Sequence, residues 1–136
     1  MDLSTLDTAD LANQGAALEL RGPDGSPLLQ EDGKPITITL LGADSDALTV
    51  IATRQTNRYL KNQGQMRVTA ELARANELEY LARATVAWDG IKIAGETPDC
   101  TEAEARALYT RFPWITAQAR AFIDDRANFM KASPKA

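Results

Sequence analysis

Hydrophobic positions change period along the chain. From Ala16 the period is two: Leu18 and Leu20 alternate with Glu19 and Arg21, which predicts a half-buried strand. The stretch GPDGSP at 22–27 stops it, because proline fixes φ and glycine permits positive φ, so the chain turns. A second turn signal, EDGKP at 31–35, leads into ITITLLG, where Ile36, Ile38 and Leu40 alternate with Thr37, Thr39 and Leu41 among β-branched residues. The two strands are expected to pair as an antiparallel ribbon over 16–42. A lone two-stranded ribbon is marginal in water, so helices should cover its apolar face. Residues 1–15 show no sustained period and read as a loose leader or one short helical turn.

After Gly42 the period lengthens to that of a helix. Asp44 or Ser45 can cap a helix start, and Asp46 adds negative charge to the first turn, where the backbone dipole favours it. Leu48, Ile51, Ala52, Gln55 and Tyr59 then fall on one face, with Gln55 the polar exception. Gly64 weakens that helix, and Thr69 offers a restart for AELARANELEYLARATVAW. There Leu72, Ala75, Glu79, Leu81, Ala82 and Val86 give a broad stripe without a fixed register. DGIKIAGETPD reads as a connection, with Asp89 and Gly90 at a turn and IKI as a short extended piece. TEAE at 101–104 matches a capping box, in which Thr101 and Glu104 each satisfy the other's backbone N–H. Pro113 should end or kink this helix at Phe112 and start the next one. From Ile115 a single face carries Ala119, Phe122, Ile123, Arg126, Phe129 and Met130, six of the seven apolar, so most of the aromatic cluster at 109–129 is expected to be core. The fold class is therefore α+β, an N-terminal antiparallel β ribbon or hairpin packed on a mostly helical C-terminal bundle of about four segments. The 136 residues read as one domain: leader 1–15, ribbon 16–42, helical part 43–130 and a frayed tail, KASPKA, at 131–136. No repeat of 20 to 50 residues is visible.

Composition narrows the chemistry. The chain has no histidine, so both the commonest general base and the commonest metal ligand are missing. Cys100 stands alone; it cannot form an internal disulfide and reads as a packing residue. The eight glycines never assemble into a dinucleotide or phosphate loop. Asp124 and Asp125 are adjacent on a helix and point about 100° apart, so they cannot jointly clamp a metal. No enzyme activity, cofactor or metal is expected. The net charge of −4 repels polyanions. Arg54, Arg58, Lys61 and Arg67 are the best candidate basic patch, but a solvated helix face is the plainer reading, and no nucleic-acid partner is expected. The first fifteen residues carry acids where a secretion signal needs bases and an apolar run, and no stretch reaches the roughly 18 apolar residues of a membrane span.

Three segments in order, ITITLLGADSDA at 36–47, LARATVAWDGIKIAGE at 81–96 and CTEAEARALYTRFPWITAQARAFIDDRANF at 100–129, resemble the tail assembly chaperones of long-tailed, siphovirus-type bacteriophages. The resemblance covers residues 18–130 or so and rests on packing and turn residues. It implies a non-virion, non-enzymatic assembly factor in the cytoplasm of the bacterial host. Such a factor coats the tape measure protein, keeps it soluble and helps recruit tail-tube subunits, in some cases through a frameshifted longer form, before leaving the tail. A homo-oligomer is compatible with that role. The alternative is a structural minor tail or connector subunit retained in the virion. Trp88, Phe112 and Trp114 are the candidate partner-binding residues, because aromatics beside a proline break fit poorly on one helix stripe and tryptophan is favoured at interfaces.

Overall fold

In the computed structural model, which describes residues 2–61 and 69–130, a short 3-10 turn at Leu3–Leu6 precedes the regular elements. These are α1 (Thr8–Gln14), β1 (Ala16–Glu19), β2 (Thr37–Leu40), α2 (Asp46–Lys61), α3 (Ala70–Ala84), β3 (Thr85–Asp89), α4 (Glu102–Arg111), α5 (Pro113–Asp124) and α6 (Ala127–Met130). The fold is α+β and mostly helical, around a three-stranded antiparallel sheet in the order β1-β2-β3.

The expected ribbon is present. Leu18 faces Ile38 and Ala16 faces Leu40 across β1 and β2. The sheet then gains a third strand from residues whose pattern predicts the end of a helix. After Ala84 the β-branched pair Thr85 and Val86 leaves the helix, and the strand through Asp89 pairs with β2, placing Trp88 opposite Ile38. A register shift beside Leu40 leaves Val86 unpaired and half exposed. Ile38 and Leu40 are completely buried and lie against a core of Leu48, Ile51, Leu81, Leu108, Tyr109, Ile115, Ala119 and Ile123.

The leader is not loose. Asp7 caps α1 by accepting from the N–H groups of Ala9 and Asp10, and Gly15 ends it at φ +80°. Ala12 packs so closely on Gly42 that a Cβ there would lie 2.8 Å from the Ala12 Cβ. Only Ala12 of α1 is buried, so the helix leaves no periodic stripe to read.

Ser45, fully buried, caps α2 through Leu48 N–H at 3.3 Å. Asp44 instead holds Arg126 bidentately, at 2.5 and 2.8 Å. Of the predicted α2 stripe only Leu48 and Ile51 are buried; Ala52 and Tyr59 are exposed because the helix overruns the core. Gly64 lies outside the described residues. Thr69 caps α3, as expected, by accepting from Leu72 N–H. The capping box on α4 is half realised. Thr101 accepts from Glu104 N–H at 3.1 Å, while its own N–H donates to the Asp99 carbonyl. The last helix is broken where the sequence pattern runs on. Asp125 accepts from Ala127 N–H and starts α6, which turns Arg126 outward to Asp44 and returns Phe129 edge-on to Phe122 at 5.5 Å. The tail at 131–136 lies outside the described residues.

Candidate partner-binding surface

Between β1 and β2 the chain makes the same excursion twice. LRGPDGSP at 20–27 and LLQEDGKP at 28–35 are tandem octapeptides sharing leucine, Asp-Gly and proline at matching positions. In each, the aspartate accepts from the N–H two residues on, at 3.0 Å, and the glycine takes a φ near +87° or +88°. Each closes as a three-residue hairpin, Gly22 N–H to Ser26 O and Gln30 N–H to Lys34 O. Positive φ is what this turn type demands of its last loop residue, which is why glycine occupies both positions.

The repeat brings Leu20, Leu28 and Ile36 side by side. Their backbones form a closed ring: Leu20 N–H donates to Ile36 O, Ile36 N–H to Leu28 O, and Leu28 N–H to Leu20 O, at 2.9 to 3.1 Å. All three side chains line an apolar cavity of about 170 Å³, opposite Phe112 and Trp114. The connection after β3 supplies Ile91 and Ile93, and α4 and α5 supply Leu108 and Ile115. Gln118 on α5 pins the ribbon in place, accepting from Arg21 N–H at 2.9 Å and donating to the Arg21 carbonyl at 2.7 Å. Among the described residues lining the cavity Lys92 is the one that carries a charge.

Of the three aromatics expected at an interface, the fold brings two together. Pro113 occupies the first turn of α5, so Phe112 and Trp114 straddle the elbow with their rings edge to face, 5.9 Å apart. Both are half-buried against the core. Arg111 lies over the Phe112 ring at 5.4 Å. Trp88 does not line this cavity. It packs on the core beside Ile38, and its indole N–H donates to the Pro98 carbonyl at 3.0 Å. Leu28, Ile36 and Ile93 were not foreseen as partners of the aromatic pair; the signal for the first two was the octapeptide repeat.

A second concavity, of about 970 Å³, lies between α2 and α3. Ala52, Thr56 and Tyr59 line one wall, and Ala70, Leu72 and Ala73 the other. Among its lining residues Arg120 stacks on the Tyr80 ring at 4.6 Å. Burial pushes the Tyr80 phenol above its ordinary range. Of the basic run along α2, Arg54 pairs with Glu79 at 3.5 Å; Arg67 lies outside the described residues.

The remaining polar groups are occupied locally. Asp124 pairs with Arg120, and the guanidinium of Arg126, with help from Thr8, holds the Asp44 carboxyl down at about 2. Burial pushes the Cys100 thiol up, away from the reactive thiolate. Tyr109, completely buried, is raised to about 12 by burial and shares a 2.6 Å hydrogen bond with Thr85. Because the Thr85 hydroxyl donates to Leu81 O, the Tyr109 hydroxyl is the donor in that bond. Among the described residues no group of three or more acidic or cysteine side chains could hold a metal ion, and no helix is long and apolar enough to cross a membrane. Set against protein-family models, curated proteins and solved structures, the chain finds no match.

Proposed function

We propose that this chain is a tail assembly chaperone of long-tailed bacteriophages, acting in the cytoplasm of the bacterial host by covering apolar surface on the tape measure protein. It does so without catalysis, helps bring tail-tube subunits to the covered rod, and is absent from the finished virion. The resemblance of the segments at 36–47, 81–96 and 100–129 supplies the family. The observation that carries the reading is the apolar cavity with Phe112 and Trp114 partly buried at its wall.

A cavity of about 170 Å³ with aliphatic and aromatic lining suits one apolar side chain, since an apolar void of about 150 Å³ takes up a molecule the size of benzene. One such contact is weak. Many copies along a rod of repeating apolar stripes sum to firm binding, and each copy still leaves individually when the tube arrives. The net charge of −4 keeps coated rods apart.

Mass spectrometry of purified particles tests the proposal. The chain should be missing from mature virions and present in infected-cell lysates. Recovery from virions at fixed copy number would make it a minor tail or connector subunit instead.

A further inference from the structure

Residues 90–98 lead from β3 toward α4 and supply Ile91 and Ile93 to the wall of the apolar cavity. Both ends of this segment are fastened. At its start a Cβ on Gly90 would lie 2.5 Å from the Gln30 side chain, whose amide also donates to the Asp89 carboxylate at 3.2 Å. At its finish the Trp88 indole N–H donates to the Pro98 carbonyl at 3.0 Å, so residues ten apart in sequence meet and the segment closes as a compact loop. Between those ends the backbone is bonded to itself. Ile93 and Glu96 exchange N–H to carbonyl bonds of 2.8 and 3.0 Å across a two-residue turn, in which Ala94 takes φ +52°, a left-handed conformation that costs an L residue free energy. Among the described residues the bond from Trp88 is the single hydrogen bond tying 90–98 to the rest of the fold.

We propose that this loop is a hinged wall of the cavity, that the Trp88–Pro98 hydrogen bond is its latch, and that the latched position sets the largest apolar side chain the cavity admits. A segment bonded chiefly to itself opens locally at less cost than the sheet and helices beside it. Its inward groups are Ile91, buried, and Ile93, half-buried, so the loop shuts by apolar packing and lifts without breaking a strand ladder. Trp88 does not line the cavity; it acts on it through the loop and is a positioning residue. Latched, the space of about 170 Å³ suits a single ring, and a second fused ring needs the wall to recede. Assigning the admitted side chain to the tape measure protein rests on the proposed function, whereas the latch and its effect on cavity size do not.

The test uses the full chain and two soluble probes, benzyl alcohol and 1-naphthalenemethanol, which differ by one fused ring. Binding is titrated by NMR on the methyl groups of Ile91 and Ile93. The parent should prefer benzyl alcohol by about tenfold or more, because the larger probe overfills the latched cavity. Trp88→Phe keeps a ring on the core and removes the N–H, and it should shrink that preference by about fivefold or more. Ile93→Ala shortens the wall itself and should shrink it likewise. Circular dichroism verifies that each variant folds. A merely structural role for Trp88 would lower the melting temperature and leave the ratio of the two affinities where it was. In the parent alone, once intrinsic rates are divided out, the Trp88 indole proton should exchange with solvent about a hundredfold or more faster than the Ile38 and Leu40 amides of β2, since the loop lifts while the sheet stays folded. An unchanged affinity ratio in folded Trp88→Phe, or an indole proton as slow as those amides, overturns the latch and leaves the cavity as a docking site. Failure of benzyl alcohol to bind either the parent or Ile93→Ala removes the docking site and the latch together. If probes and exchange behave as expected but the tape measure protein stays insoluble on co-expression, the proposed function fails and the latch stands.

Discussion

Tyr109 makes the alkaline stability of this fold a quantitative test of its core. Its phenol is completely buried, donates to Thr85 at 2.6 Å, and titrates at about 12 instead of 10. Because the folded value is raised, the contribution is fully present below pH 10 and is lost as pH rises through 12: the unfolded chain ionises first. Each unit of difference corresponds to about 1.4 kcal/mol, so the loss approaches roughly 2 to 3 kcal/mol by pH 12. Tyr109→Phe removes both the hydrogen bond and the titration. At neutral pH the variant should be less stable by about 1 kcal/mol, the ordinary net value of one buried hydrogen bond. Above pH 10 it escapes the alkaline penalty, so the two stability curves should cross near pH 11. Urea denaturation followed by circular dichroism from pH 7 to 11.5 measures this directly. Tyr59 and Tyr80 are common to both proteins and cancel in the difference. Parallel curves would refute the reasoning, since they would mean that Tyr109 ionises as readily folded as unfolded.

At the acid end Asp44 is the counterpart. Its depressed carboxyl, at about 2, contributes stability above pH 4 that is lost as pH falls toward 2. Arg126→Ala should flatten that acid loss while changing stability at pH 7 little, because the arginine is largely in water and the pair is screened there. Gly42→Val should destabilise by about 1 to 3 kcal/mol or more, read as a lower urea midpoint, because the new side chain meets Ala12 and the Phe129 ring within 3.2 Å. Trp114→Ala should lower stability by roughly 2 to 3 kcal/mol or more, from the buried part of the tryptophan plus its edge contact with Phe112, and should also impair client binding. A variant that keeps its full melting temperature would remove Trp114 from the packed wall.

The readable parts of the fold were those in which local pattern and tertiary burial agree. Ile36, Ile38 and Leu40 alternate and do pack inward, and Pro113 does divide α4 from α5. Elsewhere the two disagree. Helix-forming residues run up to Ala84 without a breaker, so only the β-branched pair Thr85 and Val86 hinted that β3 begins there, and a partner strand was needed to decide it. The stripe on α2 continues to Tyr59, but the core ends at Ile51, and periodicity carries no information about where a core stops. The break at Asp125 is accompanied by the Asp44–Arg126 pair, which joins residues 82 apart in sequence. In the candidate site, Phe112 and Trp114 were legible from the proline between them. Leu28 lay hidden in an octapeptide repeat shorter than the periods of repeat architectures, and Ile36 directly follows it. The α2–α3 groove was not legible, because it lies between two helices and is a property of neither one alone.

The central claim, that this protein works by covering apolar surface on a larger companion, is tested most directly by co-expression with the tape measure protein that the proposed function gives it as client. The account predicts that the tape measure protein is soluble with the parent chain, and insoluble alone or with a folded Phe112→Asp variant. Solubility that does not depend on this chain, or that survives the folded Phe112→Asp variant, would contradict it.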